Sequence, residues 1–144
     1  MKSILFIVAS VVLATTQPAA AAGPAAPGTQ AVQGVVFQVS VNDPAKWTLT
    51  LNNITNAIKA LPQGTLRAEI VAYGPGIRML TDDSIVAERV RATIAAGVRV
   101  VACENTMAAM QLKHDDMLTG VDFVPAGVVE IIERQQQGYA YIRP

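Results

Sequence analysis

The sequence predicts an α/β fold in which a mainly parallel, five-stranded sheet lies between two layers of helices. Two observations support this prediction. Short apolar, β-branched runs alternate with amphipathic segments four times along the chain, and clusters of Gly, Pro, Asp and Asn separate them. This alternation is typical of parallel strands joined by helical crossovers, which the twist of the sheet makes right-handed. The expected strands are residues 35–41, 66–73, 98–102, 121–124 and 139–142.

The first helix is predicted to begin at Pro44, with Asp43 as its cap. An aspartate side chain accepts hydrogen bonds from the free N–H groups of the first helical turn, and proline suits the first helical position. Apolar residues then recur at steps of four and three, until Pro62 and Gly64 end the pattern. The predicted buried face consists of Trp47, Leu51, Ile54, Ile58 and Leu61.

Three further helices are expected, and residues 77–80 should form a short helical or irregular segment. Asp82, Asp83 and Ser84 should open the second helix. Its predicted inner face is Val86, Val90 and Ile94. The third helix should cover about 106–113, capped by Asn105 or Thr106. The fourth should follow Pro125-Ala126-Gly127, with Val128, Ile131 and Ile132 facing the sheet.

The start of the chain resembles an export signal. Lys2 precedes an apolar stretch at 3–14, and Ala20-Ala21-Ala22 supplies small residues for cleavage. We therefore expect a signal peptide at 1–22, a flexible Ala/Pro/Gly leader at 23–33 and a folded domain at 34–144. Because the apolar stretch is short for a membrane span, we expect a periplasmic protein without a span after cleavage. A retained N-terminal anchor is the alternative.

Charge and cysteine content narrow the possible functions. The chain has 144 residues, with 11 Lys and Arg, 11 Asp and Glu, and a formal net charge of zero. Its basic residues are scattered, so binding to nucleic acid through the phosphate backbone is not expected. Cys103 is the single cysteine, which makes an internal disulfide impossible, so the fold must depend on packing.

Cys103 lies between a predicted buried strand and a predicted helix start. The free N–H groups of a helix start favour thiolate, the reactive form of cysteine, whereas the neighbouring Glu104 opposes it. An inert cysteine that packs as a small apolar residue is the alternative. Ligands of parallel sheets bind at the carboxyl ends of the strands. We therefore expect the substrate beside Cys103 to contact Gly74, Pro75, Gly76, Arg78, Asn105 and Thr106.

The sequence contains few of the residues that other kinds of catalytic or metal site require. His114 is the single histidine, and about three helical turns would separate it from Cys103, which disfavours a Cys-His dyad. The metalloprotease, CxxC, GxSxG and P-loop patterns do not occur in the sequence. A helical stripe of sulfur and imidazole ligands would suit Cu(I), but methionines at helical spacing usually fill the core. This stripe is Cys103, Met107, Met110, His114 and Met117, and we predict no metal site.

Five motifs lie along the predicted domain, and they are Trp47 with Leu51-Asn52-Asn53, Ala72-Tyr73-Gly74-Pro75-Gly76, Ala102-Cys103-Glu104-Asn105-Thr106, Pro125-Ala126-Gly127-Val128 and Gly138-Tyr139-Ala140-Tyr141-Ile142-Arg143-Pro144. Together they resemble the DsrE/DsrF-like family over about 35–144. The resemblance implies a three-layer α/β/α domain that assembles as trimers or hexamers. It also implies that Cys103 matches a cysteine on which better-understood members move sulfur as a persulfide. The export signal departs from the family's usual cytoplasmic setting.

Two hypotheses for function remain open at this point. In the first, Cys103 carries sulfane sulfur between a donor and an acceptor protein, without a cofactor. In the second, the domain is a non-catalytic, oligomeric module of the cell envelope that binds a ligand or metal. The two differ in one property, since only the first requires a reactive thiol.

Overall fold

The computed structural model describes residues 33–144, and the predicted signal peptide lies outside the described residues. All of the predicted leader except Gln33 also lies outside them, so export, cleavage and localisation stay predictions. Gln33 itself is the first residue of the first strand.

Five parallel strands form one sheet, as predicted. They are β1 (Gln33–Val39), β2 (Leu66–Ala72), β3 (Arg99–Cys103), β4 (Asp122–Val124) and β5 (Ala140–Ile142). Their order across the sheet is β4-β3-β2-β1-β5, and every neighbouring pair is parallel. The α-helices are α1 (Pro44–Ala60), α2 (Ala87–Ala95), α3 (Glu104–Ala109) and α4 (Gly127–Gln136). Two 3-10 helices, Gly74–Leu80 and His114–Asp116, complete the described elements.

The two faces of the sheet are covered unequally. The larger apolar cluster joins one face to residues of α1, α2, α3 and the first 3-10 helix, among them Leu51, Val90 and Ile77. The smaller cluster contains Val36, Val71 and Val101 from the other face, with Ile131 of α4. Because strand side chains alternate, each of the three central strands contributes to both clusters. Helix α4 is therefore the main cover of the second face.

Helix α1 follows the sequence prediction closely at its start. The Asp43 carboxylate accepts a hydrogen bond from the Ala45 N–H at 2.9 Å, and Pro44 is the first helical residue. Trp47 and Ile54 are buried as expected, but Ile58 is 38% exposed and Leu61 is half-buried. The buried face is thus shorter than predicted, since the last turn of α1 extends beyond the dense part of the core.

Helix α2 begins later than predicted. The segment opened by Asp82, Asp83 and Ser84 forms turns, in which the Ser84 N–H donates to the Thr81 carbonyl at 2.9 Å. The Asp82 N–H donates to the carbonyl of Asp116 at 3.1 Å, and Thr81 forms an antiparallel bridge with Met117. These long-range bonds hold the segment out of helical conformation, so α2 starts only at Ala87.

The predicted inner face of α4 is wrong at two of its three positions. Ile131 is buried, but Val128 is 55% exposed and Ile132 is 49% exposed. The sheet side of this helix instead presents Glu130 and Arg134, which pair with charged residues of β2 and β3. An apolar pattern alone could not distinguish this arrangement. No helix within residues 33–144 is long and apolar enough to cross a membrane.

Replacement of Leu51 by alanine tests the packing of α1 on the sheet. Leu51 is 1% exposed, so Leu51→Ala should lower the free energy of unfolding by about 2–5 kcal/mol, the range for a deleted core side chain. Leu49 lies on the same helix at 43% exposure, and Leu49→Ala should change it by no more than about 0.5 kcal/mol. Urea unfolding of both variants measures the difference, and equal losses would contradict this packing.

Candidate functional site

Cys103 occupies the junction between β3 and α3. It is the last residue of the strand and the N-cap of the helix, and it is 5% exposed. The preceding Ala102 belongs to the larger apolar cluster, so the alternation of the strand turns Cys103 toward the α4 side. The predicted caps Asn105 and Thr106 are therefore wrong, because the helix begins at Glu104 and ends at Ala109, earlier than expected.

The surroundings of the thiol favour thiolate overall. Burial raises the pKa of Cys103, but hydrogen bonds from the Thr106 hydroxyl and from the backbone N–H groups of Gly127, Thr106 and Asn105 lower it. The donors outweigh the burial, so the net pKa lies below the ordinary value of a thiol. Neutral hydroxyl and amide donors thus stabilise negative charge on this sulfur.

Thr106 connects the loop after β3 to the loop after β2. Its Oγ1 accepts a hydrogen bond from the Gly74 N–H at 2.9 Å. Because a hydroxyl oxygen that accepts one bond still has its hydrogen to donate, Thr106 can serve Gly74 and the sulfur at once. The predicted proximity of Gly74 to the residues after Cys103 is therefore confirmed.

Gly76 allows the 3-10 helix to approach β1. A Cβ atom at this position would lie 2.4 Å from the Val39 carbonyl oxygen, so only glycine fits without a shift of backbone. Pro75 between the two glycines is exposed. The Gly-Pro-Gly start of this 3-10 helix therefore fixes the position of the Gly74 N–H, which donates to Thr106.

The loop before α4 completes the surroundings of Cys103. The Asn105 N–H donates to the Pro125 carbonyl at 3.2 Å, and the Cys103 thiol lies 3.9 Å from the same oxygen. Gly127 packs closely on the sheet, since a Cβ there would lie 3.1 Å from the Cβ of Tyr73. Sequence reasoning named Pro125-Ala126-Gly127 as a strand-end loop but did not assign Gly127 to the site.

Arg78 lies in a different environment from the one predicted. It lines two surface clefts whose walls include Thr81 and Asp83, and neither cleft includes Cys103. Its neighbours Ile77 and Met79 belong to the larger cluster, on the opposite face of the sheet from α4. The structure thus places Asn105 and Thr106 beside the thiol and bonds Gly74 to Thr106, whereas Arg78 lines clefts that do not include Cys103.

A polar cluster that the sequence analysis missed lies on the α4 side of the sheet. The Gln38 amide donates to Ser40 Oγ at 3.0 Å and to the Tyr73 hydroxyl, and it accepts from the Tyr141 hydroxyl. Val39, Ala72 and Ala102 are paired in register, so the residues that follow them, Ser40, Tyr73 and Cys103, form one row. The available signal was the pair Gln38 and Ser40, which are polar residues at alternate positions of the apolar run at 35–41.

The residues of the possible copper-binding stripe lie in different environments. Met107 and Met117 are buried in the larger cluster, and Met110 packs against it, whereas Cys103 faces α4. His114 stacks on Phe123, with ring centroids 3.7 Å apart, and its Nε2 lies 3.4 Å from a carboxylate oxygen of Glu104. Within residues 33–144, no three His, Cys, Asp or Glu side chains are placed to hold a metal ion together.

Thr106→Val should raise the pKa of Cys103, because valine is similar in size to threonine but lacks the hydroxyl donor. A hydrogen bond to a charged group contributes about 1.5–3 kcal/mol, so the rise should be on the order of 1 pH unit. The pH dependence of alkylation by iodoacetamide measures it, with a wild-type midpoint below the ordinary value of a thiol. Thr106→Ser keeps the hydroxyl and should retain the wild-type midpoint; equal midpoints for Val and Thr would contradict the assignment.

Comparison with known proteins shows which family the chain belongs to. A solved protein of unknown function from Methanobacterium thermoautotrophicum is 39% identical, with a TM-score of 0.75, over 78% of this chain and 99% of that one. A second solved protein of unknown function, from Bacteroides thetaiotaomicron, shares the fold at 11% identity and a TM-score of 0.66, over 81% of this chain and 99% of that one. No curated protein matches the chain. The sequence model of the DsrE/DsrF-like family matches residues 33–144, and the protein belongs to that family.

Proposed function

We propose that the protein is a sulfur carrier that holds sulfane sulfur as a persulfide on Cys103. The observation that supports this most directly is the place of the thiol at the junction of β3 and α3, beside the loop before α4, where hydrogen-bond donors lower its pKa despite burial. Membership of a family associated with sulfur relay points in the same direction. The sulfur donor and acceptor would be other proteins or small polysulfides.

The chemistry requires only the thiolate and a sulfane donor. The Cys103 sulfur attacks a sulfur atom of a polysulfide, a new S–S bond forms, and the shortened polysulfide leaves with the electron pair of the broken S–S bond. The product is a persulfide anion, which carries the same single negative charge as the thiolate. The charge of the persulfide lies mainly on its outer sulfur, so the Thr106 hydroxyl and the backbone N–H groups around Cys103 stabilise the attacking thiolate more directly than the product. No separate general base is needed when the thiolate is already populated.

Burial of Cys103 has a consequence for sulfur transfer. At 5% exposure the thiolate is shielded from peroxide-type oxidants, which attack accessible thiolates first. A persulfide places its outer sulfur about 2 Å further from the protein backbone, the length of an S–S bond. We propose that this outer sulfur is the atom that an acceptor reaches. On the sequence argument for export, the exchange would take place in the periplasm.

The second candidate is a non-catalytic, oligomeric binding module, and the same low exposure favours it. A thiol that packs at the end of a strand can be inert, and its donors would then serve only to satisfy the loops. The two candidates make opposite predictions for sulfur loading, so one experiment separates them.

Treatment of the purified protein with polysulfide should add about 32 Da, the mass of one sulfur atom, to Cys103. Cys103→Ser should fold and assemble as the wild type does, because serine is nearly isosteric, but it should take up no sulfur. Mass spectrometry of intact protein and of the peptide that contains Cys103 measures the adduct. An unmodified wild-type thiol after this treatment would favour the binding module.

We also propose that the domain forms trimers or hexamers through the outer side of α4. Val128, Val129 and Ile132 are exposed there at 55%, 47% and 49%, and exposed apolar residues grouped on one helix mark interfaces. Tyr141 and Ile142 on the edge strand β5 are exposed as well. The structure contains one chain, so assembly rests on this surface and on the family resemblance.

Ile132→Lys should convert the proposed oligomer to monomers, because a charge at the centre of an apolar interface remains unpaired. Ile85 is 76% exposed in the segment before α2, on the other side of the sheet, and Ile85→Lys should leave assembly unchanged. Light scattering at micromolar concentration gives the mass of each species. A monomeric wild-type protein would refute the proposal.

A further inference from the structure

A partly buried network of ion pairs joins α4 to the middle of the sheet. Glu69 of β2 is 2% exposed, and its carboxylate contacts Arg99 at 2.9 Å and Arg134 at 2.6 Å. Glu130 of α4 contacts the same two arginines, each at 2.7 Å. Asp122 of β4 pairs with Arg99 at 2.9 Å on the more exposed rim. The two arginines are thus shared between the sheet and the helix.

The same helix supplies an N–H to Cys103. Gly127 is the first residue of α4 and lies two residues after Pro125, whose carbonyl oxygen is 3.9 Å from the Cys103 sulfur, and its N–H is among the groups that lower the pKa of the thiol. Glu130 follows three residues later and Arg134 four residues after that, on the sheet-facing side where Ile131 is also buried. An α-helix moves as a rigid unit over such a distance, so the contacts of Glu130 and Arg134 determine where the Gly127 N–H lies.

We propose that the Glu69–Arg99–Glu130–Arg134 network positions α4 so that the Gly127 N–H points at the Cys103 sulfur. These four are positioning residues, since they act on the sulfur only through the helix. The inference rests on the proposed function in one respect, namely that Cys103 is the reacting sulfur. It adds that ion pairs remote from the sulfur set the reactivity of Cys103.

In Glu130→Gln, the lost charge and a shift of α4 would change the pKa of the Cys103 thiol in opposite directions. Burial raises the pKa of Glu130, but a hydrogen bond from Arg99, a hydrogen bond from the carboxyl of Glu69 and the charge of Arg134 outweigh it, so the pKa of Glu130 is lowered, whereas burial raises the pKa of Glu69. Glu130→Gln removes a negative charge, and by charge alone it would lower the pKa of the thiol. Loss of the two arginine contacts would instead let α4 shift and would raise it. The sign of the change therefore distinguishes the two effects.

Arg134→Lys provides a second variant that keeps the net charge and is the milder change. Lysine is a point donor and cannot reproduce the forked contacts that arginine makes to Glu69 and Glu130. Charge alone predicts no change in the thiol pKa for this variant, whereas loss of position predicts a rise. Asp122→Asn is the matched control, since it removes a network charge without touching α4.

The experiment is a pH titration of the thiolate by its ultraviolet absorbance, with the tyrosine background subtracted by the same titration of Cys103→Ser, so that the difference reports the single cysteine. We expect the midpoint to rise by up to about 1 pH unit in Glu130→Gln and Arg134→Lys, the size of one lost hydrogen bond to charged sulfur. Asp122→Asn should not raise it. Leu51→Ala, which destabilises the opposite face, should leave it unchanged, so a general loss of stability is separated from positioning.

The outcomes decide between this inference and the function on which it rests. An unchanged or lowered midpoint in Arg134→Lys, with a lowered wild-type midpoint, overturns the positioning role and leaves the sulfur-carrier proposal intact. A wild-type midpoint at the ordinary thiol value overturns both. If Glu130→Gln fails to fold, Arg134→Lys alone decides, and a rise there with an unchanged Asp122→Asn supports the inference.

Discussion

The carboxylate of Glu69 in the central part of the sheet is the constraint on which the second face depends. A carboxylate at 2% exposure is costly unless cations and hydrogen bonds compensate for the lost water. Arg99 comes from the neighbouring strand, and Arg134 comes from the only helix in the described residues that packs mainly on this face. The helix is therefore held by directional contacts and by a small apolar cluster. Replacement of such a network by apolar residues can be neutral for stability, so its value lies in fixing one arrangement of the helix.

Cys103 shows a balance between two opposing effects. Burial alone would make the thiol less acidic than an exposed cysteine, and the hydrogen-bond donors reverse this. Each donor depends on a different long-range contact: Thr106 is held by the Gly74 N–H, Asn105 faces Pro125, and Gly127 begins a helix anchored by ion pairs. The local motif around Cys103 is short, but its electrostatics come from three loops at the carboxyl edge of the sheet.

Sequence reasoning succeeded where structure is determined locally. Asp43 and Pro44 define the start of α1 through bonds to residues two and three positions away, so the pattern was sufficient. The fold class also followed, because alternation of strand and helix requires parallel pairing. The start of α2 was mispredicted because Asp82 bonds to Asp116, a contact that no local pattern contains. The face of α4 was mispredicted for the same reason, since Arg134 meets a glutamate 65 positions away.

One signal for that long-range pairing was nevertheless present in the sequence. Glu69 lies near the middle of a strand that the α/β topology places between two others and that helices cover on both faces, so a side chain there is removed from most of the water. A charge in such a strand requires a partner of opposite sign on a neighbouring strand or covering helix. Arg99 at the start of β3 and Arg134 in α4 are such partners, and both contact the Glu69 carboxyl. The same reasoning applies to Gln38, whose amide bonds to the hydroxyls of Tyr73, directly after β2, and Tyr141 on β5. In a parallel sheet, therefore, isolated polar residues in central strands identify the face where the helix is held by polar contacts, and here that face also holds the thiol.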